Sequence, residues 1–353
     1  MGTLEKTLKN IGMTDSKAIK AAGRKLDSLT KPKGSLGVLE DIVLKLAGIK
    51  GFPLTDFRDK VVVIMAGDHG VVEEGVSAFP QEVTPQMILN FINGGAAVSV
   101  FARHVGARIV CVDVGVASDM DHPKVINKKV MRGTRNMTKG PAMTRQEAIR
   151  ALEVGIEMAN TEIDKGADLL GTGEMGIGNT TPSSAILAVY SNKPLEQLVG
   201  KGTGLNDKGL SLKINAIKKA IELNNPDPND PVGVLSKVGG LEIGAIAGLI
   251  LGAAARRVPV VVDGFISTAG ALIASKIEPR VCDYIIASHS SEEPGHKIML
   301  ELIGLEPMLY TRMRLGEGTG AALAFSIVEA SVKMINEMAS FDEAGVSKGT
   351  ENN

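Results

Sequence analysis

Short apolar runs alternate with longer amphipathic segments along most of the chain. The clearest run spans residues 61–66, where six consecutive apolar residues precede Gly67-Asp68-His69-Gly70. A strand that is apolar on both faces is typical of a parallel sheet covered by helices. Further runs share this form, an apolar stretch that ends in polar residues with glycine nearby. We therefore predict six strands, the other five lying at 107–116, 167–176, 258–265, 283–293 and 307–320.

Helical patterns separate most of these runs. Residues 38–49 place Leu39, Val43 and Leu46 on one helical face, and similar patterns recur after each strand. Regular strand–helix alternation predicts right-handed crossovers and therefore an α/β fold, a Rossmann-like parallel sheet of about six strands with helices on both faces. The later patterns lie at 85–104, 145–164, 182–191, 207–223, 240–256, 266–276 and 294–304.

The two ends of the chain differ from this central region because both are helical in pattern. A chain of 353 residues suits one large domain with a smaller one. We predict a small all-helical domain built from residues 1–58 and 318–353, beside a large α/β catalytic domain of residues 59–317. The polar tail after residue 346 is predicted to be disordered.

Composition excludes several classes of protein. The 39 basic and 40 acidic residues nearly cancel and aromatic residues are scarce, which argues against nucleic acid as a partner. The first residues have no signal-peptide core, and the apolar run 241–255 is shorter than the ~20 residues of a membrane span. The two cysteines are expected to be reduced thiols. The sequence thus predicts a soluble cytoplasmic protein without a membrane span.

Acidic residues follow the apolar runs more often than chain punctuation requires. In open α/β sheets the ligand binds beyond the carboxyl ends of the strands, so these side chains are expected to share one active-site rim. The members of this group are Asp68, Asp113, Glu174, Asp263 and Glu317, with His69 and His289 beside them.

Glycine-rich stretches suggest a place for one phosphate. In GEMGIGNTTPSSA, residues 173–185, glycines precede a helix start whose free amides suit an anion. The spacing matches neither a dinucleotide fingerprint nor a Walker loop, and an ordinary strand-to-helix turn remains the alternative. The residues predicted to surround the phosphate are Gly176, Thr180, Gly202, Lys213 and Ser291.

The stretch RLGEGTGAALA, residues 314–324, places Glu317 between two glycines that leave its carboxylate open to a substrate. A glutamate favoured by a helix dipole is the simpler explanation of that motif alone. Together with the motifs at 67–71, 173–185, 261–265 and 287–296, however, the chain resembles the nicotinate-nucleotide–dimethylbenzimidazole phosphoribosyltransferase family over essentially its whole length.

This resemblance implies an activity and a site. Members of the family transfer phosphoribose from nicotinate mononucleotide to 5,6-dimethylbenzimidazole, which gives α-ribazole 5′-phosphate and nicotinate during assembly of the cobalamin lower-ligand nucleotide. It also implies a homodimer and Glu317 as general base. No cofactor and no metal are expected, since the pyridinium leaving group already carries positive charge.

An apolar slot for the aromatic base is expected near the same rim. Glu174 and Asp263, the other proposed catalytic residues, are expected to orient Glu317, hold ribose hydroxyls or raise its pKa by repulsion, and the sequence leaves these roles open. A dehydrogenase, a nucleotide sensor and a structural protein are the alternative classes. The predicted lining of the slot is Met175, Leu315, Pro80, Gln86 and Met87, for each of which plain core packing is the alternative.

Overall fold

The structure is a computed structural model that describes residues 2–202 and 204–347. Six parallel strands form one sheet in the order β3-β2-β1-β4-β5-β6. Strands β2 and β3 follow on one side of β1, and β4, β5 and β6 then follow on its other side, as in doubly wound folds. The predicted α/β class is confirmed. The strands are β1 (Lys60–Gly67), β2 (Arg108–Gly115), β3 (Val125–Asn127), β4 (Leu169–Met175), β5 (Val260–Val262) and β6 (Ile285–Ala287).

Both faces of the sheet are buried under helices, which explains the unbroken apolar run of β1. Successive side chains of a strand point to opposite faces, so β1 contributes to two separate cores. Val61, Val63 and Met65 belong to one core, and Val62, Ile64 and Ala66 belong to the other.

Helices that pack closely through glycine dominate the first face. A Cβ atom at Gly155 would lie 1.9 Å from the carbonyl oxygen of Ala245, and one at Gly248 would lie 1.9 Å from that of Leu152, so no larger residue fits. The apolar run near residue 241 is thus a buried core helix. The helices of this face are α1 (Thr3–Asn10), α6 (Arg145–Asp164), α7 (Thr180–Tyr190), α8 (Leu195–Leu198), α9 (Asp207–Asn224), α10 (Pro231–Val238), α11 (Leu241–Ala255), α12 (Phe265–Ile277) and α13 (Gly295–Leu302).

The second face is covered by helices from the N-terminal third and from the C-terminal end. The last long helix, α14, packs against α2 and α3 and also against β1, β4 and β5. Helix α1 lies apart from this group, against α6 and α11. The helices of the second face are α2 (Ser16–Ser28), α3 (Val38–Lys50), α4 (Val83–Asn93), α5 (Ala97–His104) and α14 (Thr319–Glu337); the short α15 (Phe341–Ala344) follows.

Two of the predicted elements are wrong. Residues 307–320 do not form a strand, because Arg312, Glu317 and the glycines on either side of Glu317 have positive φ angles that an extended strand does not allow. The sixth strand is instead β3, whose sequence Val-Ile-Asn lies between polar residues and has no longer apolar run around it. The helical segment 85–104 is two helices, since Gly94 at φ +83° ends α4.

Two further expectations concern the ends and the surface of the chain. Residues 348–353 of the predicted disordered tail lie outside the described residues. Within the described residues, no helix combines the length and apolarity needed to cross a bilayer.

Candidate active site

A cavity of about 300 Å³ lies at the carboxyl end of β4, beside the point where the strand order reverses between β1 and β4. Such switch points are where doubly wound folds bind ligands. Asp263 and Lys213 lie directly behind its wall, whereas Pro80 and Gln86 are exposed and lie outside its lining. The predicted site residues that line the cavity are Met87, Glu174, Met175, Gly176, Thr180, Gly202, Ser291, Leu315 and Glu317.

Glu317 occupies a tight left-handed loop immediately before α14. Its φ angle is +67°, and its neighbours Gly316 and Gly318 have φ angles of +80° and +99°. A non-glycine residue rarely adopts this conformation, so the surrounding structure must hold it there. The loop turns the side chain into the cavity, where it is 7% exposed.

The Glu317 carboxyl group is arranged to take up a proton near neutral pH. Burial, assisted by the negative charge of Asp263, raises its pKa to about 7, while a backbone hydrogen bond from Val98 opposes this shift. The Oε2 atom is buried without a hydrogen-bond partner in the part of the chain that the structure describes. A carboxylate with a free oxygen and a pKa close to 7 has the properties of a general base.

Asp263 holds the helix that follows Glu317. Its carboxylate accepts hydrogen bonds from the amides of Gly318 at 3.0 Å, Gly320 at 2.7 Å and Ala321 at 3.1 Å. These are free amides at the start of α14, which favour a negative charge. His289 approaches the same carboxylate at 3.9 Å. Asp263 therefore fixes the backbone on the C-terminal side of Glu317.

Glu174 holds the other side of the same loop. Its Oε1 accepts a hydrogen bond from the Glu317 amide at 3.1 Å, and its Oε2 accepts one from the Asn179 side chain. Burial raises the pKa of Glu174 to about 8; these hydrogen bonds oppose the shift, and the charge of Asp263 adds to it. A Cβ atom at Gly316 would lie 2.3 Å from Oε1, so glycine is required for this contact.

Part of the cavity wall is held by Lys213. Its ammonium group is fully buried and donates to the Thr180 hydroxyl at 2.7 Å and to the carbonyl of Gly200 at 3.1 Å. Burial lowers the pKa of Lys213 to about 8. The loop of Gly202, with φ +53°, lies over this group. One cation and a helix start thus lie behind the part of the cavity wall that Thr180 and Gly202 form.

The sequence indicated His69 but not its partner. The His69 ring contacts Glu242 at 2.8 Å, and both side chains are buried. Burial alone lowers the pKa of His69, but Glu242 raises it above its ordinary value. Glu242 is the second residue of α11. A single carboxylate in an otherwise apolar run indicates that the carboxylate has a buried partner. The ring lies against the Gly176 loop.

Besides Asp263, two more of the predicted rim carboxylates lie outside the cavity lining. Asp68 accepts a hydrogen bond from Thr84 at 2.6 Å, and the same hydroxyl accepts one from the Ile177 amide, so Asp68 supports the cavity wall from behind. Asp113 pairs with Lys129 at 3.2 Å beside the edge strand β3. The described residues contain no group of three or more His, Cys, Asp or Glu side chains arranged to hold a metal ion.

The strand order, together with carboxylates converging on a cavity at its switch point, defines a doubly wound α/β enzyme. A family model described as "Phosphoribosyltransferase" matches residues 11–346. Relatives named nicotinate-nucleotide–dimethylbenzimidazole phosphoribosyltransferase are 55–57% identical over 99% of the chain, so the chain belongs to this family.

Relatives of this name match the chain over nearly its full length. The protein of Geotalea uraniireducens is 57% identical over 350 residues, which is 99% of each chain. That of Desulforamulus reducens is 55% identical, over 99% of this chain and 100% of its own. A crystal structure of the Thermus thermophilus enzyme superposes with a TM-score of 0.90 at 45% identity, over 95% of this chain and 100% of its own.

Proposed function

We propose that the protein transfers the 5-phosphoribosyl group of nicotinate mononucleotide to 5,6-dimethylbenzimidazole, giving α-ribazole 5′-phosphate and nicotinate for the lower-ligand nucleotide of cobalamin. Family membership supports this reaction. The observation that carries the assignment of the base is the buried Glu317 carboxyl group, with its free Oε2 and its pKa of about 7.

The proposed reaction is a single displacement at the anomeric carbon of the ribose. One benzimidazole nitrogen forms a bond to C1′ from the face opposite the nicotinate, and the C1′–N bond to nicotinate breaks. The bonding pair goes to the pyridine nitrogen, which leaves neutral, and the configuration changes from β to α. The attacking ring becomes cationic, and Glu317 accepts the proton from its second nitrogen.

Glu174 and Asp263 act on this reaction through the backbone. Both carboxylates hold amides of the loop that carries Glu317, so we assign them to its orientation. The negative charge of Asp263 also raises the pKa of Glu317, which strengthens it as a base. Of the three roles that the sequence left open, orientation and pKa control are the ones that these contacts support.

Two parts of the cavity wall suit the two ends of the nucleotide. We assign the 5′-phosphate to the part beside Lys213, where Gly176, Thr180, Gly202 and Ser291 offer amides and hydroxyls beside the cation. We assign the aromatic base to the part beside Glu317. Met87, Met175 and Leu315 line the cavity and are assigned to the slot for the base, whereas Pro80 and Gln86 lie outside the lining.

We further propose that the protein is a cytoplasmic homodimer. Its substrates are small molecules, and its reaction requires no nucleic acid, metal or cofactor. Both cysteines are free thiols, in agreement with a reducing compartment. Phe79 and Leu315 are large apolar side chains that line the cavity and are 47% and 56% exposed, a surface suited to a second copy of the chain. Sedimentation of the purified protein tests the dimer, and a monomer at micromolar concentration contradicts it.

The activity is tested by incubating the protein with nicotinate mononucleotide and a panel of benzimidazoles and identifying the products by mass. We expect α-ribazole 5′-phosphate and stoichiometric nicotinate from 5,6-dimethylbenzimidazole, and also products from close analogues, since a methyl group changes binding in an apolar slot by only ~1–3 kcal/mol. A wild-type protein that releases no nicotinate with any base of the panel contradicts the proposed function.

A further inference from the structure

Glu293 is a buried carboxylate of the cavity wall to which the reaction above gives no role. It lies on the loop between β6 and α13, two residues after Ser291, and it is 7% exposed. Its Oε2 atom is buried without a hydrogen-bond partner among the described residues. A buried acceptor that lacks a donor destabilises the folded protein, so this arrangement is explained if a ligand supplies the donor.

Lys213 does not supply that donor. Its ammonium group donates to Thr180 and to Gly200, and no ion pair within 4.0 Å joins it to Glu293. The two charges attract each other only over a longer distance. Glu293 instead packs against Gly200, where an added Cβ atom would lie 2.1 Å from its Oε2. The Glu293 carboxylate can therefore occupy this position in the wall because residue 200 has no side chain.

The chemistry of the carboxylate restricts what it can bind. An ionised carboxylate only accepts hydrogen bonds, and it repels a phosphate dianion. Of the other carboxylates in the wall, Glu174 is already bonded through both oxygens, and Glu317 faces the base. The part of the nucleotide that joins phosphate to base is the ribose, whose hydroxyl groups are hydrogen-bond donors.

We propose that Glu293 accepts a hydrogen bond from a hydroxyl group of the substrate ribose and so selects a ribosyl over a deoxyribosyl nucleotide. This assignment rests on the proposed function. It gives the sugar a holding point of its own in the wall, separate from the loop of the general base.

The test compares nicotinate mononucleotide with its 2′-deoxy and 3′-deoxy analogues on wild-type protein and on Glu293→Ala. For each protein, the loss of kcat/KM is measured when one hydroxyl is removed from the nucleotide. For one of the two analogues, we expect this loss to be about ten- to a hundredfold larger in wild type than in Glu293→Ala, which is the range of a hydrogen bond to a charged group. The intrinsic effect of the missing hydroxyl on reactivity cancels in this ratio.

Glu292→Ala is the matched control, because Glu292 is the neighbouring acidic residue, is exposed, and lies outside the cavity lining. It should discriminate between the substrates as the wild type does. Glu293→Gln keeps the shape of the side chain and removes its charge, and we expect its Tm at pH 7 to equal or exceed that of the wild type. A lower Tm would make Glu293 a structural counter-ion and would overturn the proposal.

If removal of the hydroxyl lowers kcat/KM by the same factor in wild type and in Glu293→Ala for both analogues, the assignment of Glu293 is also overturned. Turnover of the intact nucleotide by wild type would still leave the proposed function standing. Absence of that wild-type turnover would instead remove the proposed function and this inference together.

Discussion

Replacing Glu317 by Gln is the most direct test of the proposed reaction. Gln keeps the size of the side chain and removes the negative charge and nearly all of the basicity. A positioned general base contributes about 10²- to 10⁴-fold to a rate, so kcat should fall by that factor, which is a barrier increase of about 3–5 kcal/mol. Binding of nicotinate mononucleotide should change little, because the contacts assigned to its phosphate, around Lys213 and Thr180, do not include the Glu317 carboxyl group.

The pKa of Glu317 fixes the pH dependence expected of the wild type. With a pKa of about 7, half of the carboxyl groups are ionised at pH 7 and roughly 1% are ionised at pH 5. An ordinary glutamate would still be mostly ionised at pH 5. The logarithm of wild-type kcat should therefore fall with a slope approaching one below pH 7, and this acidic limb should be absent from Glu317→Gln.

The assay is steady-state release of nicotinate from pH 5 to pH 9 for wild type, Glu317→Gln and Glu174→Gln. Near-normal turnover by Glu317→Gln together with an inactive Glu174→Gln would place the base at the end of β4 instead. An acidic limb of the wild type centred near pH 4.5 would refute the reasoning from burial.

Burial raises the pKa of Glu174 from 4.5 to about 8, so the folded protein holds this proton more tightly than the unfolded chain does, and its stability falls as the pH rises through that interval. The Tm should therefore drop more from pH 5 to pH 9 in wild type than in Glu174→Gln. Equal drops in the two proteins would contradict this reasoning. Lys213→Ala should raise the KM for nicotinate mononucleotide about ten- to a hundredfold and that for the base less than threefold, and steady-state kinetics with a larger effect on the base would move the phosphate elsewhere. Gly316→Ala should lower both Tm and kcat, because its Cβ atom would meet the Glu174 carboxylate. The control Gly304→Ala also changes a glycine with a positive φ angle, +66°, but has open space around it, so it should lower the free energy of unfolding by only about 1 kcal/mol and leave kcat unchanged. Turnover should continue after treatment with a chelator, and activity that chelation abolishes and Mg²⁺ restores would contradict a metal-free reaction.

The sequence was most informative where a local pattern and the fold agree. The run of β1 is apolar on both faces because both faces are buried, and Asp68 follows it behind the cavity. Strand β4 is equally buried and carries Glu174 near its end, in the cavity lining. A helix start after these glycines was also predictable, although the pattern placed it at residue 182 and α7 begins at Thr180. These signals lie within one element and need no knowledge of distant contacts.

The rest of the site depends on contacts that no local pattern encodes. Residues 307–320 are apolar enough to suggest a strand, yet the hydrogen bonds from the Glu317 loop to Glu174 and Asp263 impose positive φ angles there. Lys213 reaches Thr180 across 33 positions of sequence. Glu293 looked like one more acidic residue in a loop until the cavity showed its free oxygen.

The position of α14 has a consequence for synthesis of the protein on the ribosome. All six strands precede this helix in the chain, yet α14 covers β1, β4 and β5 on the second face of the sheet. A nascent chain that has completed its sheet therefore still exposes apolar side chains such as Val62 and Ile64 to water. Since Glu317 arrives with the helix that covers them, a product released before α14 would lack the proposed base and would also carry an aggregation-prone surface.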